Sequence, residues 1–314
     1  MPTRLQGPEM LLPKILCITV MRSLKNPRWI HLQQLGKIQL LLFAKVGNQT
    51  DNFRNNDNKF RRYKAHVSIF GTTQFHLQNP YLIAWWSAAF PGFGHLLLNK
   101  YLRGLSLFIW EVIVNYNTKI NIAMVHSFCG DIELAKEVLD VRWMLMYIPV
   151  YIFGIWDSYR TSVDMNKVYL LADRENAPFN TFSIGALEVN YIDKRNPIMS
   201  VVWSLFMPGL GQLYIHRIIS AFFCLVWTIL FLYFSKALIA VQYLFLGDIS
   251  QSTAVLDKEW LLYIPSMWGF ALYDSYINTV ENNKLFEAEQ KNYLIDHFQN
   301  PHFKIKKEKA VDNP

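Results

Sequence analysis

Shifted along the chain by 117 positions, residues 79–167 fall on residues 196–284 without a gap, and about 30% of the pairs are identical, several-fold above chance. The pairs include Asn79-Pro80 with Asn196-Pro197, Trp86-Ser87 with Trp203-Ser204, and Gly130-Asp131-Ile132 with Gly247-Asp248-Ile249. Val138-Leu139-Asp140 matches Val255-Leu256-Asp257, and Asp157-Ser158-Tyr159 matches Asp274-Ser275-Tyr276. A tandem duplication of this kind restricts the fold severely, because whatever one unit forms the other must form as well.

Each unit is largely apolar, which sets the class. Hydrophobic residues make up 52% of the chain and charged residues only 18%, below the roughly 25% usual in soluble domains. The apolar residues are gathered into blocks. Ile218–Phe234 runs 17 residues without a charge, and Lys236 is the only one before Leu246. About 20 such residues cross a bilayer core. One block of this kind suits a buried core helix, but several predict an all-α integral membrane protein.

The parts recur in order. A short apolar piece (Tyr81–Phe90; Ile198–Met207) runs into Pro91-Gly92-x-Gly94 or Pro208-Gly209-x-Gly211. Proline disfavours helix in the residue before it, and glycine tolerates positive φ, so each motif predicts a break between two helices. A longer segment follows (Leu105–Val125; Ile218–Leu246), then an acidic connector, then an apolar helix (Trp143–Trp156; Trp260–Tyr273) ending in Asp-Ser-Tyr. The piece before each break is too short to cross a bilayer alone. It either joins a kinked third crossing, which inverts the two units, or turns back, which leaves them parallel.

Charge separates these topologies. Residues 1–78 hold 12 Lys/Arg against 3 Asp/Glu, which places them on the cytoplasmic side. Lys100 and Arg103, and Arg217 in the second unit, follow the breaks, whereas the connectors carry Asp131, Glu133, Glu137 and Asp140, and Asp248, Asp257 and Glu259. Two crossings per unit put every basic loop inside and both acidic connectors outside. The expected organisation is a basic, partly disordered region (1–78), a membrane repeat (79–167), a linker (168–195), a second repeat (196–284), and an amphipathic helix with a basic tail (285–314). Both termini are expected in the cytoplasm and the protein in the cell membrane.

Two sets of polar residues stand out. Glu111, Asn115 and Lys119 are spaced i, i+4, i+8 on one predicted helix face, and intramembrane ionisable groups mark functional sites when they face a bundle interior; a short helix whose lysine snorkels to the surface is the alternative. Only the lysine recurs, as Lys236. Asp157 and Asp274 end the final helices, where Arg103 and Arg217 are expected to clamp them; a hydrated helix-end carboxylate is the alternative.

The tails read as peripheral. Asp51–Lys64 is polar and basic, as in disordered segments, and Lys37–Val46 suits an interface. Asn48-Gln-Thr matches a glycosylation sequon on the cytoplasmic side, where it is incidental. Lys304, Lys306, Lys307 and Lys309 suit anionic lipid headgroups. Cys17, Cys129 and Cys224 lie far apart, and there is no metal-ligand spacing, phosphate loop, nucleophile elbow or nucleic-acid recognition motif. No cofactor is implied.

At Pro91-Gly-Phe-Gly-His-Leu-Leu and Pro208-Gly-Leu-Gly-Gln-Leu-Tyr the chain resembles bacterial multi-pass proteins with Pro-Gly-x-Gly-Gln-x-Tyr hairpins, akin to TM2-type membrane domains and to uncharacterised membrane proteins of spore-forming Gram-positive bacteria. His95 and Leu97 depart from the Gln and Tyr kept at Gln212 and Tyr214. The resemblance covers roughly residues 66–295 and implies a location and a hairpin fold without an activity. The expected function is a non-enzymatic membrane scaffold or assembly factor contacting protein partners through cytoplasmic tails. A small transporter or channel is the alternative, since internal repeats and broken helices also build transporters. A membrane-embedded enzyme would need a nucleophile–base set, and none is evident.

Overall fold

The computed structural model describes residues 61–185 and 188–299. The segments Lys37–Val46 and Asp51–Phe60, the Asn48 sequon and the lysines from Lys304 onward lie outside the described residues. Helices dominate. In order they are α1 (Pro80–Ala89), α2 (Phe93–Leu97), α3 (Tyr101–Thr118), α4 (Ile120–Cys129), α5 (Ile132–Val138) and α6 (Val141–Glu175), then α7 (Pro197–Phe206), α8 (Leu210–Tyr214), α9 (Ile218–Phe234), α10 (Ala237–Phe245), α11 (Ile249–Val255), α12 (Lys258–Leu261) and α13 (Tyr263–Phe298).

Local chemistry explains the starts and stops. Asn79 and Asn196 cap α1 and α7 by accepting from the amides of Tyr81 and Ile198, with a proline in the first turn. Phe90 and Met207 then leave the helix in extended conformation (φ −157° and −155°), ahead of Gly92 (φ 101°) and Gly209 (φ 109°). Only glycine enters that region cheaply. It also lets backbones meet: a Cβ on Gly209 would lie 2.6 Å from Leu225 Cγ and 2.7 Å from Ala221 O, and one on Gly92 would strike Gly104 O. The break therefore packs α2 and α8 tightly beneath α3 and α9.

Each longer segment is split rather than continuous. Lys119 (φ 59°) and Lys236 (φ 55°) sit in the left-handed region at the junctions α3/α4 and α9/α10. The carbonyls freed there are used: Thr118 O accepts from Asp140 N at 3.2 Å, and Ser235 O from Asp257 N at 3.1 Å. Among the described residues no single helix is long and apolar enough to cross a membrane; the bent pairs α5 with α6 (88°) and α9 with α10 (61°) meet that length and composition together. Two unbroken spans per unit, as the hydropathy suggests, are thus not what forms, because hydropathy does not register a positive φ at lysine.

The final helices are far longer than their apolar stretches. Rising about 1.5 Å per residue, α6 and α13, with 35 and 36 residues, continue past Trp156 and Tyr273 into polar sequence. Thus α6 enters the expected linker, and the stretch after Lys284 continues α13. Two β-hairpins accompany them. β1 (Ala65–Ser68) pairs antiparallel with β2 (Gly71–Gln74), and β3 (Phe182–Ile184) with β4 (Val189–Tyr191). Their cores are joined where Asn190 Nδ2 donates to Ser68 O at 2.9 Å.

The interior is aromatic where the two halves meet. Phe93 stacks on Phe270 with centroids 4.2 Å apart, Phe90 on Phe108 at 4.6 Å, and Phe231 on Tyr263 at 4.9 Å. Such pairs contribute about 0.5–1.5 kcal/mol each beyond burial.

Gly209→Ala should destabilise the purified protein by about 2 kcal/mol or more, from backbone strain plus the close approach. Gly247→Ala, at φ 83° with nothing within 4 Å of the added carbon, should cost only the strain, about 1 kcal/mol. Equal losses in denaturant unfolding would show that the close packing beneath α9 contributes nothing.

Candidate functional site

Three polar groupings interrupt the apolar interior, and two contain residues singled out from sequence. The first is built on α13. Arg217, just before α9, places Nη1 at 2.9 Å from Asp274 Oδ1, with side chains only 3% and 1% exposed. Asp274 Oδ2 accepts from Gln212 Nε2 at 3.2 Å, and Oδ1 from Asn278 Nδ2 at 2.9 Å. Arg217 Nη2 donates to Asn99 Oδ1 at 2.7 Å and to Tyr101 OH at 3.0 Å. The Arg217–Asp274 clamp therefore ties both halves of the chain together.

Its counterpart is wetter. Arg103 Nη1 lies 3.1 Å from Asp157 Oδ2, but the arginine side chain is 61% exposed. His95 Nε2 reaches the same oxygen at 3.0 Å, so the tautomer protonated there donates to it. His95 occupies the position that Gln212 holds in the second unit, while the two arginines stand at different offsets. Beside both carboxylates the helices meet through small residues. Ser204 Oγ donates to Ser275 Oγ at 3.0 Å, Ser200 Oγ donates to Gly211 O at 3.3 Å, and a Cβ on Gly94 or Gly211 would collide with Ser87 or Ser204.

The second grouping holds Glu111 and Asn115, both buried. Tyr147 OH donates to Glu111 Oε1 at 3.2 Å, and Asn115 Nδ2 lies 3.5 Å from the same oxygen. Asn115 Nδ2 also meets Asn121 Oδ1 at 3.3 Å, and Asn121 Nδ2 donates to Glu259 O at 2.8 Å. The Glu259 side chain turns inward, and its Oε2 accepts from Ile122 N at 3.2 Å. Lys119 and Lys236 do not join this stripe: both are exposed, at the helix junctions. The i+8 spacing fails because α3 ends at Thr118, one residue before Lys119.

Glu259, Asn121 and Tyr147 were not distinguishable in the sequence. Glu259 reads as one more acid of a solvated connector, and only its burial in the fold separates it from Asp257.

A third grouping fastens the long helices to what precedes them. Asn166 donates to Gln78 O at 2.7 Å and accepts from Gln78 N at 3.0 Å, and Asn283 makes the same pair with Arg195 at 2.7 and 2.9 Å. Near the end of α6, Glu175 receives the amides of Arg61 and Arg62 at 3.0 and 2.8 Å and pairs with the Arg62 guanidinium at 2.6 Å. Desolvation opposes its ionisation, but the Arg62 and Arg61 amides and the Arg62 charge prevail and hold its carboxyl below the ordinary value. Lys64 pairs with Asp173 at 2.7 Å, so residues 61–64 are fastened rather than loose.

Among the described residues no group of three or more His, Cys, Asp or Glu gathers as metal ligands. Comparison with protein-family models, curated proteins and solved structures gives no match.

Arg217→Met should destabilise the protein by about 3–5 kcal/mol by leaving Asp274 charged and unpaired in the interior, and Arg217→Met with Asp274→Leu should recover most of that loss. Arg103→Met should cost at most about 1 kcal/mol, because that pair faces solvent. Denaturant unfolding of the three variants checks the order; equal losses from both arginines would contradict it.

Proposed function

We propose that this chain is a multi-pass membrane scaffold built from two duplicated, parallel hairpin units. The carrying observation is the apolar outer surface of the helical part. Serines, glycines and the Asp274 network share the interior with stacked rings, whereas Ile109, Ile113, Leu145, Ile152, Phe222 and Val226 are exposed. Water would strip such a surface into aggregates; lipid accepts it, and small residues with interhelical hydrogen bonds are how helices pack in a bilayer. On this reading the breaks at Pro91 and Pro208 turn short helices back, and the acidic connectors, α5 among them, face outward.

Scaffolding is favoured over transport by how the centre is filled and by what projects from it. Stacked rings of Phe90, Phe93, Phe108 and Phe270 occupy the axis between the units. At about 52–54 Å, α6 and α13 exceed the roughly 30 Å hydrocarbon core. Their polar halves would stand in the cytoplasm beside the two hairpins, with Ile184 and Phe298 exposed for a protein partner. The buried carboxylates Glu111 and Glu259 favour the second reading, a small transporter.

With Cys129 as the only cysteine, an impermeant thiol reagent should label intact cells, and with Leu102→Cys as the only cysteine it should label only after lysis. Both positions are exposed on the protein. The reverse pattern would invert the topology. A photo-crosslinker at Ile184 should trap one defined protein in cells; solute flux into reconstituted vesicles that Glu111→Gln abolishes would replace the scaffold with the transporter.

A further inference from the structure

A cavity of about 80 Å3 lies between the chain leading into α1 and the stretch of α13 from Tyr273 to Glu281. Its lining combines apolar Leu82, Ile83 and Leu97 with His76, Gln78 and Glu281, and holds no lysine or arginine. His76 Nδ1 and Gln78 Oε1 are buried without a partner. Among the described residues Glu281 pairs with Lys284 alone, at 2.7 Å, and its charge acts on the His76 ring. Burial, with Arg217 and Lys284, holds that imidazole below its ordinary value despite Glu281 and Asp274, so the neutral ring offers an acceptor nitrogen. Buried acceptors ordinarily have donors. This lining supplies acceptors and a negative charge without a cation.

The second unit shows a cation at the matching wall. At the offset of 117, His76, Gln78 and Leu97 correspond to Asp193, Arg195 and Tyr214. Gln78 and Arg195 also match in the fold, since Asn166 and Asn283 hold their backbones in the same way. Arg195 Nε donates to Asp193 Oδ1 at 2.8 Å, and its guanidinium lies over the Tyr214 ring, 5.0 Å from the centroid. The second unit thus carries its own N–H cation there, whereas the first has Gln78 and Leu97 in place of the arginine and its ring.

We propose that the cavity binds a primary ammonium group on a stem of one or two carbons, the chemistry shared by free ethanolamine and the ethanolamine headgroup of a phospholipid. Such a group has three N–H donors, and the lining offers Gln78 Oε1, His76 Nδ1 and the Glu281 carboxylate to receive them. Tyr273 brings a ring to the same lining, and ring faces attract cations. A liquid water takes roughly 30 Å3, so the volume suits a ligand the size of two or three waters. A quaternary ammonium has no N–H to give and leaves the acceptors unanswered. The lipid source rests on the membrane reading above, which sets the start of α1 and this part of α13 at the inner surface of the bilayer; the free amine does not.

The test is calorimetric titration of the full chain in detergent with ethanolamine and with choline. Saturable binding of ethanolamine, at least tenfold tighter than choline, is expected. Glu281→Gln should weaken it at least tenfold, and Gln78→Arg, which gives the first unit the cation of the second, should abolish it. Asp164→Asn, exposed on α6, should change nothing. Absence of saturable binding, equal affinity for choline, or unchanged affinity in Gln78→Arg overturns the site. Should Gln78→Arg fail to fold, Glu281→Gln decides, because that side chain pairs only with the exposed Lys284: a tenfold loss supports the site and an unchanged affinity overturns it. Titration in detergent needs no bilayer, so its failure removes the site and leaves the membrane reading standing. Bilayer discs then separate the sources. Ethanolamine bound more weakly in phosphatidylethanolamine discs than in phosphatidylcholine discs supports the site with the lipid headgroup as its ligand, and equal affinity in both supports it with the free amine.

Discussion

A guanidinium and a carboxylate shut away from water must neutralise each other and have their remaining hydrogen-bonding capacity met nearby. Arg217 and Asp274 impose that condition on everything around them. Gln212 and Asn278 complete the carboxylate, and Asn99 and Tyr101 complete the guanidinium. Those four come from α8, α13 and the segment before and into α3, so the guanidinium is fully satisfied only where the two halves dock. The second ion pair, at Asp157, carries no such obligation, since Arg103 remains largely in solvent.

Close backbone approach makes that docking feasible. Gly92 and Gly209 let the chain turn at positive φ directly against α3 and α9, and Gly94 and Gly211 leave room for Ser87 and Ser204. The aromatic stack fills what remains between the halves. Helices joined in this way bury polar groups and rings together and leave many apolar side chains outward. In the proposed bilayer setting this division needs no further partner.

Part of this arrangement is legible in the sequence. Matching residues 117 apart marked both breaks, and the same offset brought Asp157 and Asp274 forward as structurally required. Their pairing with Arg103 and Arg217 followed from opposite charge at the same end of the predicted hairpins. Other features were hidden for identifiable reasons. Lys119 and Lys236 end helices through a backbone angle that lysine rarely adopts, so their side chains suggested a polar stripe instead. The four-residue and three-residue strands of the hairpins fall in polar sequence with no alternating run long enough to notice. The polar halves of α6 and α13 lack the apolar periodicity by which helices are recognised.

Sequence alone determined the period of the chain, its helical and apolar character and the position of the Pro-Gly-x-Gly breaks, and it offered the two carboxylate–arginine clamps beside a hydrated alternative. These depend on residue type and spacing along one strand of chain, which is what a sequence records. Tertiary structure decided how deeply each polar group lies. Glu259 and Asp257 are both connector acids two residues apart, yet one turns beneath Asn121 and Ile122 while the other caps α12 at the surface. Burial is a property of what packs on top of a residue from elsewhere in the chain, and here it separates a buried carboxylate from an ordinary helix cap.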